Sequence, residues 1–268
     1  MKIFIIPTKT NQMCNRMFLF GNIIATAIEH NAVVINTAFS EFSDYFVGTQ
    51  NDAFCRFPNK RTPHFLNSPK IRNNLHRWIE KVAHSAKSGN LSRILKNSLV
   101  YVDSGWTSTV DEPEGEKALD TLLYKQLIQN RSLIFFDGPL FTNHPGMYKH
   151  KAQIKAFFQP VREIQANVEA FTEHLHDEVD LLIGVHMRLG DYASFSGGRF
   201  MFTPAQYSEK MHQAQALFPG KKVRFLITSN EKQDSNYFSE FDHVIGNGHP
   251  IEDLYSLAKC DYITGPPS

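Results

Sequence analysis

Apolar and polar positions along the chain alternate with two different periods. Residues 3–6 are an unbroken apolar run that predicts a strand. Residues 15–29 follow with Met17, Phe18, Ile24 and Ile28 at helical spacing. Residues 32–35 (AVVI) read as a second strand, and a β-α-β opening of this kind belongs to a parallel sheet. Residues 99–102 and 133–136 (LIFF) predict two further buried strands with a helix over about 116–129 between them. Residues 152–176 are predicted helical and broken at Pro160. The stretch DLLIGVHM, 180–187, is apolar almost throughout, as expected of a central parallel strand covered on both faces. Beyond it the pattern predicts a helix over 203–218, with Thr203 as N-cap and Pro204 in first position. Strands at 222–228 (KVRFLIT), 243–245 and 262–264 and a helix at 252–259 complete the chain.

This order predicts an α/β protein of two halves facing each other across a cleft. The expected domains are residues 1–178 and 179–268, with a hinge near 175–180. Composition agrees. A chain of 268 residues that is 42% hydrophobic can fill two ordinary cores and is not predominantly disordered.

A net charge of +1 offers no global attraction for nucleic acid, but the charge is unevenly spread. Residues 56–97 hold ten Lys or Arg against one acid, Glu80. Within them Ile71, Leu75, Trp78, Ile79 and Val82 fall at helical spacing, which predicts a surface helix with one core face. A sharper alternative is an amphipathic contact with anionic membrane lipid or a diphosphate-lipid-linked glycan. Cys14, Cys55 and Cys260 include no CxxC pair, which supports neither a disulfide framework nor a zinc site and suits a reducing compartment. Only four consecutive apolar residues precede Pro7, too few for a signal peptide, and no later run approaches the roughly 20 needed to span a bilayer. A soluble cytoplasmic protein is expected, with residues 56–97 as the segment for any peripheral contact at the inner face of the membrane.

The most informative polar stretch is HMRLGDY, 186–192, directly after the long apolar strand. Ligands of open α/β sheets sit beyond the carboxyl ends of the strands, so His186, Arg188 and Asp191 are placed to meet an anion. Arg188 offers a planar fork of donors suited to phosphate, and Gly190 lets backbone approach closely. An Arg188–Asp191 ion pair that merely pins the loop is an equally good reading of the same residues. In FLITSNE, 225–231, Ser229, Asn230 and Glu231 suit a base or ribose contact, but taken alone the capping of the following segment is the better reading. Asp253 lies near a helix N-terminus, where a carboxylate is favoured in any case. Glu173, His174, His176, Asp177 and Glu178 suggest a metal at first sight, but His174 and His176 are two apart and point to different helix faces. Neither GxGxxG nor GxxxxGK[ST] occurs.

HMRLGDY, GGRFMFTPAQYSEKM, FLITSNE and EDLYSLAKCDYITGPPS resemble, in order and spacing, the C-terminal half of bacterial α-1,2-fucosyltransferases, glycosyltransferase family 11. CNRMFLFGNIIATAIEHN resembles that family's Gly-Asn-Gln-Met-Phe helix opening, with Asn15 on its Asn. The resemblance covers about residues 11–36 and 180–268. It implies a GT-B-like fold of two Rossmann-like α/β domains, an acceptor side followed by a domain for the donor GDP-fucose. It also implies inverting transfer without a metal or other cofactor, and the absence of any Asp-x-Asp accords with that. The implied partners are a nucleotide sugar and an oligosaccharide or lipid-linked glycan acceptor, not nucleic acid.

Arg188, Asp191 and Asn15 are then the expected catalytic residues. His186, Arg188, Gly190, Ser229, Asn230, Asp253 and Ser268 are the expected donor-binding set. Three departures stand out. Leu189 replaces a second Arg, Asn230-Glu231 replaces paired acids, and the chain ends at Ser268 where the family usually continues into Phe-Ser-x-Trp, so the second domain is expected to be shortened. A catalytically weak or inactive nucleotide- or glycan-binding relative, or a transferase using another GDP-sugar, is the alternative function.

Overall fold

The apolar run at the N-terminus becomes β1 (Lys2–Ile5), followed by α1 (Met13–Glu29) and β2 (Ala32–Ile35). β1 and β2 are parallel with Ile3 opposite Val33, the predicted β-α-β opening. This computed structural model describes residues 1–10, 12–95, 98–104 and 117–266. The chain continues through β3 (Arg56–Phe57), α2 (Pro69–Lys87), α3 (Asn90–Leu95), β4 (Leu99–Asp103) and β5 (Lys117–Ala118). Next come α4 (Leu122–Gln129), β6 (Leu133–Asp137), β7 (Phe141–Thr142), α5 (His144–Lys149) and α6 (Lys151–Phe157). The main sheet has the order β3-β2-β1-β6-β4, with β3 as an antiparallel edge and the other pairings parallel.

α2 supplies Ile79, Ala83 and Ala86 to a core with Ile5, Leu99 and Phe135 of the sheet. By strand alternation Phe4, Ile134 and Phe136 point to the other face, and they are fully buried. Beside them Phe20, Phe39, Phe46, Phe157 and Phe158 pack mostly edge to face, with ring centroids 5.2–5.9 Å apart. Much of the abundant phenylalanine therefore serves packing.

Three expectations change here. Phe18 is 48% exposed, because α1 turns Leu19, Phe20, Ile23 and Ile24 inward instead. The helix expected from about residue 116 starts at Leu122, since Lys117 and Ala118 pair with β7; Glu116 lies outside the described residues. In α2, Trp78 is 59% exposed, and the buried stripe is Arg72, His76, Ile79, Ala83 and Ala86. Arg72 tolerates that position because its guanidinium is 2.8 Å from Asp44 and 2.6 Å from Ser43 Oγ.

The second part of the chain comprises α7 (Arg162–Thr172), β8 (Leu181–Met187), α8 (Pro204–Ala216), β9 (Val223–Ser229), β10 (His243–Ile245), α9 (Pro250–Leu257) and β11 (Tyr262–Thr264). Its sheet, β10-β9-β8-β11, is entirely parallel. One face buries Ile183, Val185, Met187, Phe225 and Ile227 against Tyr207, Met211, Phe238 and Phe241. Leu182 and Leu226 meet Leu175 on the other. Gly184 fits beneath α9, where an added Cβ would come within 2.7 Å of Leu257.

The compact units are Met1–Val161 and Arg162–Ser268, so the division falls ahead of the 175–180 segment proposed as a hinge. α7 joins the second unit because it packs on α9, with Asn167 Nδ2 donating to Glu252 at 2.8 Å. No disulfide links Cys14, Cys55 and Cys260 to one another. Among the described residues no helix is long and apolar enough to cross a membrane.

Candidate active site at the carboxyl edge of the second sheet

β8 and β9 run in register from Leu181 opposite Val223 to Met187 opposite Ser229, so HMRLGDY and FLITSNE end at the same sheet edge. His186 Nδ1 lies 3.4 Å from Thr228 Oγ1. Burial first, and the nearby Arg188 charge second, hold its imidazole below the ordinary histidine range, which keeps it neutral at pH 7. Arg188 is fastened at several points. Its backbone N–H donates to the Tyr207 hydroxyl at 3.1 Å, and its guanidinium donates to Asp191 at 2.7 Å. The same guanidinium lies 5.5 Å from the centre of the Tyr192 ring. The loop-pinning ion pair therefore exists, but it leaves donors over. Arg188 Nε is buried with no hydrogen-bond partner among the described residues, an arrangement that costs about 1–3 kcal/mol unless a ligand accepts from it.

Asn230 ties the two strand ends together. Its Oδ1 accepts from the Leu189 N–H at 2.8 Å, and its Nδ2 donates to the Leu189 carbonyl at 3.1 Å. The amide of Asn230 is thus engaged in positioning the Arg188 loop. Ser229 Oγ accepts from Glu231 N–H and Gln233 Nε2, each at 3.2 Å, which is the turn-capping arrangement. Gly190 has φ +59, and a Cβ there would also come within 2.8 Å of a Glu231 carboxylate oxygen.

Asp253 sits in the first turn of α9 and is 9% exposed. Burial pushes its carboxyl up to about 6, although backbone N–H groups of Gly248 and Asn247 and the nearby His249 act in the opposite direction. Gly246 makes room for it, since a Cβ there would lie 2.5 Å from Asp253 Oδ1. Asp253 therefore braces the loop that leaves β10 beside Thr228. Asn15 belongs to the first unit, where it is exposed near the start of α1. Ser268 lies outside the described residues. His174 pairs with Asp177 at 2.8 Å and His176 with Asp261 at 3.5 Å, so the sequence cluster separates into two solvated pairs.

Tyr192, Tyr207 and Thr228 escaped the sequence reading as site residues. Tyr192 and Tyr207 stand within quoted motifs, but nothing local says that one ring lies under Arg188 or that the other hydroxyl receives its amide.

No protein-family model matches the sequence, and no curated protein matches it. Solved structures do. The chain superposes on a variant of FUT1 from Arabidopsis thaliana in complex with GDP at TM-score 0.55 and 12% identity, covering 98% of this chain and 65% of that one. It superposes on NodZ alpha-1,6-fucosyltransferase soaked with GDP-fucose at TM-score 0.52 and 15% identity, covering 98% of this chain and 87% of NodZ. The chain has the fucosyltransferase fold. Within this GT-B-like fucosyltransferase fold, His186, Arg188 and Asp191 mark the carboxyl edge of the second parallel sheet. The chain spans just under two thirds of the FUT1 chain that it matches.

Proposed function

We propose that the chain is an inverting, metal-independent glycosyltransferase that moves fucose from GDP-fucose to a galactose-type hydroxyl, forming an α-1,2 linkage. One observation carries this reading: Arg188 is locked at the edge of a parallel sheet with a buried, unpartnered Nε beside the neutral His186. The FUT1 structure holds GDP and the NodZ crystal was soaked with GDP-fucose, which supports a guanosine diphosphate donor here. In the reaction the acceptor oxygen bonds to the fucose anomeric carbon as its bond to the diphosphate breaks. The acceptor proton leaves to a base, and negative charge grows on the departing GDP. A guanidinium held in place by Asp191 and Tyr192 meets that charge without reorganising, and such preorganised donors contribute about 10²–10³ in rate. Asn230 and Tyr207 act as positioning residues, because they fix the backbone on either side of the Arg188 loop.

Leu189 favours a second reading. It is 7% exposed and built into the core where the family resemblance has a further Arg, so a nucleotide-binding relative that transfers poorly, or one that uses another GDP-sugar, fits the same site. Peripheral contact of residues 56–97 with anionic lipid is a finer part of the first reading, and the exposed Trp78 and Phe65 support it. Calorimetry with GDP, GDP-fucose, GDP-mannose and a UDP-sugar tests the donor. GDP compounds should bind, and Arg188→Ala should weaken them at least about tenfold. Unchanged GDP binding in Arg188→Ala would sink the phosphate-clamp assignment, and fucose release without transfer to any galactoside would favour the second reading.

A further inference from the structure

The first unit contains a cavity of about 710 Å³ at the carboxyl edge of its own sheet. Its floor comes from Thr8 just after β1, Tyr101 of β4 and Asp137 at the end of β6. β2 lies on one side of β1 and β6 on the other, so the cavity opens where the strand order reverses, the usual crevice for ligands in such sheets. One wall is α2, which lines the cavity with Arg77, Lys81, His84 and Lys87, spaced to share one helix face. The volume falls in the range of about 300–1,000 Å³ that holds small ligands.

The charges indicate what fits. Lys87 is already committed to Asp103 at 2.7 Å. The side chains of Arg77, Lys81 and His84 are exposed and make no ion pair or hydrogen bond with any described residue. Two full positive charges and an imidazole therefore stand in the lining with no direct side-chain partner among the described residues, and such groups attract an anion. Carboxylates of Glu80 and Asp137 stand in the same lining. They repel a polyanion such as nucleic acid, but they accept hydrogen bonds from hydroxyl groups. The Tyr101 hydroxyl is turned toward Asp137 and donates to it, which orients that carboxylate. What satisfies both signs is a ligand with one anionic group beside several hydroxyls.

We propose that this cavity binds an acidic glycan, a sugar carrying a carboxylate or a phosphate ester, with Arg77 and Lys81 on the anion and Glu80 and Asp137 on neighbouring hydroxyls. That this glycan is the acceptor rests on the transferase reading above; its binding does not. Calorimetry on the full chain with digalacturonate, galactose 6-phosphate, lactose, inorganic phosphate and phosphatidylglycerol vesicles tests the site. Digalacturonate or galactose 6-phosphate should bind at least about tenfold more tightly than lactose, and the tighter of the two names the anion. Arg77→Glu with Lys81→Glu, and separately the milder Arg77→Gln, should weaken that sugar while leaving GDP affinity unchanged. Lactose binding as tightly as both acidic sugars overturns the proposal, as does inorganic phosphate binding as tightly as the sugar phosphate. So does vesicle binding that is lost in Arg77→Gln while neither acidic sugar binds. Intact GDP binding with no acidic-sugar binding removes the cavity assignment alone, whereas the converse removes the donor assignment and leaves the cavity standing.

Discussion

At the scale of single residues, two titrations make the site testable. His186 is held neutral by burial and by Arg188. A bound diphosphate would supply the opposing charge that favours imidazolium, so GDP binding near pH 6.5 should take up protons. Calorimetry in buffers of different ionisation enthalpy should show that uptake in the native chain and not in His186→Gln. Asp253 behaves differently because its carboxyl is pushed up to about 6 mainly by burial. The folded state then holds a proton that the unfolded chain releases between the ordinary value of 3.8 and about 6. Stability is therefore lost as pH rises through that window, and the cost, about 3 kcal/mol at most, is fully present above it. Asp253→Asn should gain in Tm relative to the native chain on going from pH 4.5 to pH 7.5. A constant difference across that range would show that the carboxyl titrates normally.

At the scale of elements, α8 links a local signal to the site. Thr203 accepts from Gln206 N–H, Gln206 Oε1 accepts from Thr203 N–H, and Pro204 begins the helix. Thr203→Ala should cost about 1 kcal/mol in urea unfolding. The same first turn carries Tyr207, whose hydroxyl receives the Arg188 amide. Tyr207→Phe should leave that N–H unsatisfied and lower kcat more than its effect on Tm accounts for, which separates positioning from simple stability. Gly190→Ala meets φ +59 and the Glu231 carboxylate together, so it should weaken GDP binding in calorimetry. The helix at α8 and the strand at β8 were legible because caps and periodicity act over a few residues. Phe18 and Trp78 were misplaced for the complementary reason: apolar residues at helical spacing name a stripe, while the neighbours decide which edge of it is covered. For α2 that decision lay with Asp44 and Ser43, which hold Arg72 in the buried stripe.

At the scale of the whole molecule, ligand linkage gives a direct readout. GDP at a hundred times its Kd should raise stability by about 2.7 kcal/mol. If the proposed donor site is right, hydrogen exchange should slow at residues 186–192, 228–233 and 246–253, the strand ends and the Asp253-braced loop. No slowing in those segments with GDP bound would place the donor elsewhere.

The net charge of +1 conceals the basic stretch, and α2 displays part of it as one cationic wall of a cavity. From the sequence alone came the two α/β halves, the strands that carry HMRLGDY and FLITSNE, and the place of Arg188 just beyond a strand end, because periodicity, capping and motif order are properties of neighbouring residues. Tertiary structure alone decided that α7 belongs with the second unit, that Asn230 clasps the Leu189 backbone and that Asp253 is buried against Gly246. It also decided that Arg77 and Lys81 share a cavity with Asp137. Each of these joins residues far apart in the chain, and their meeting depends on strand order and on which face a helix covers, neither of which any local pattern encodes.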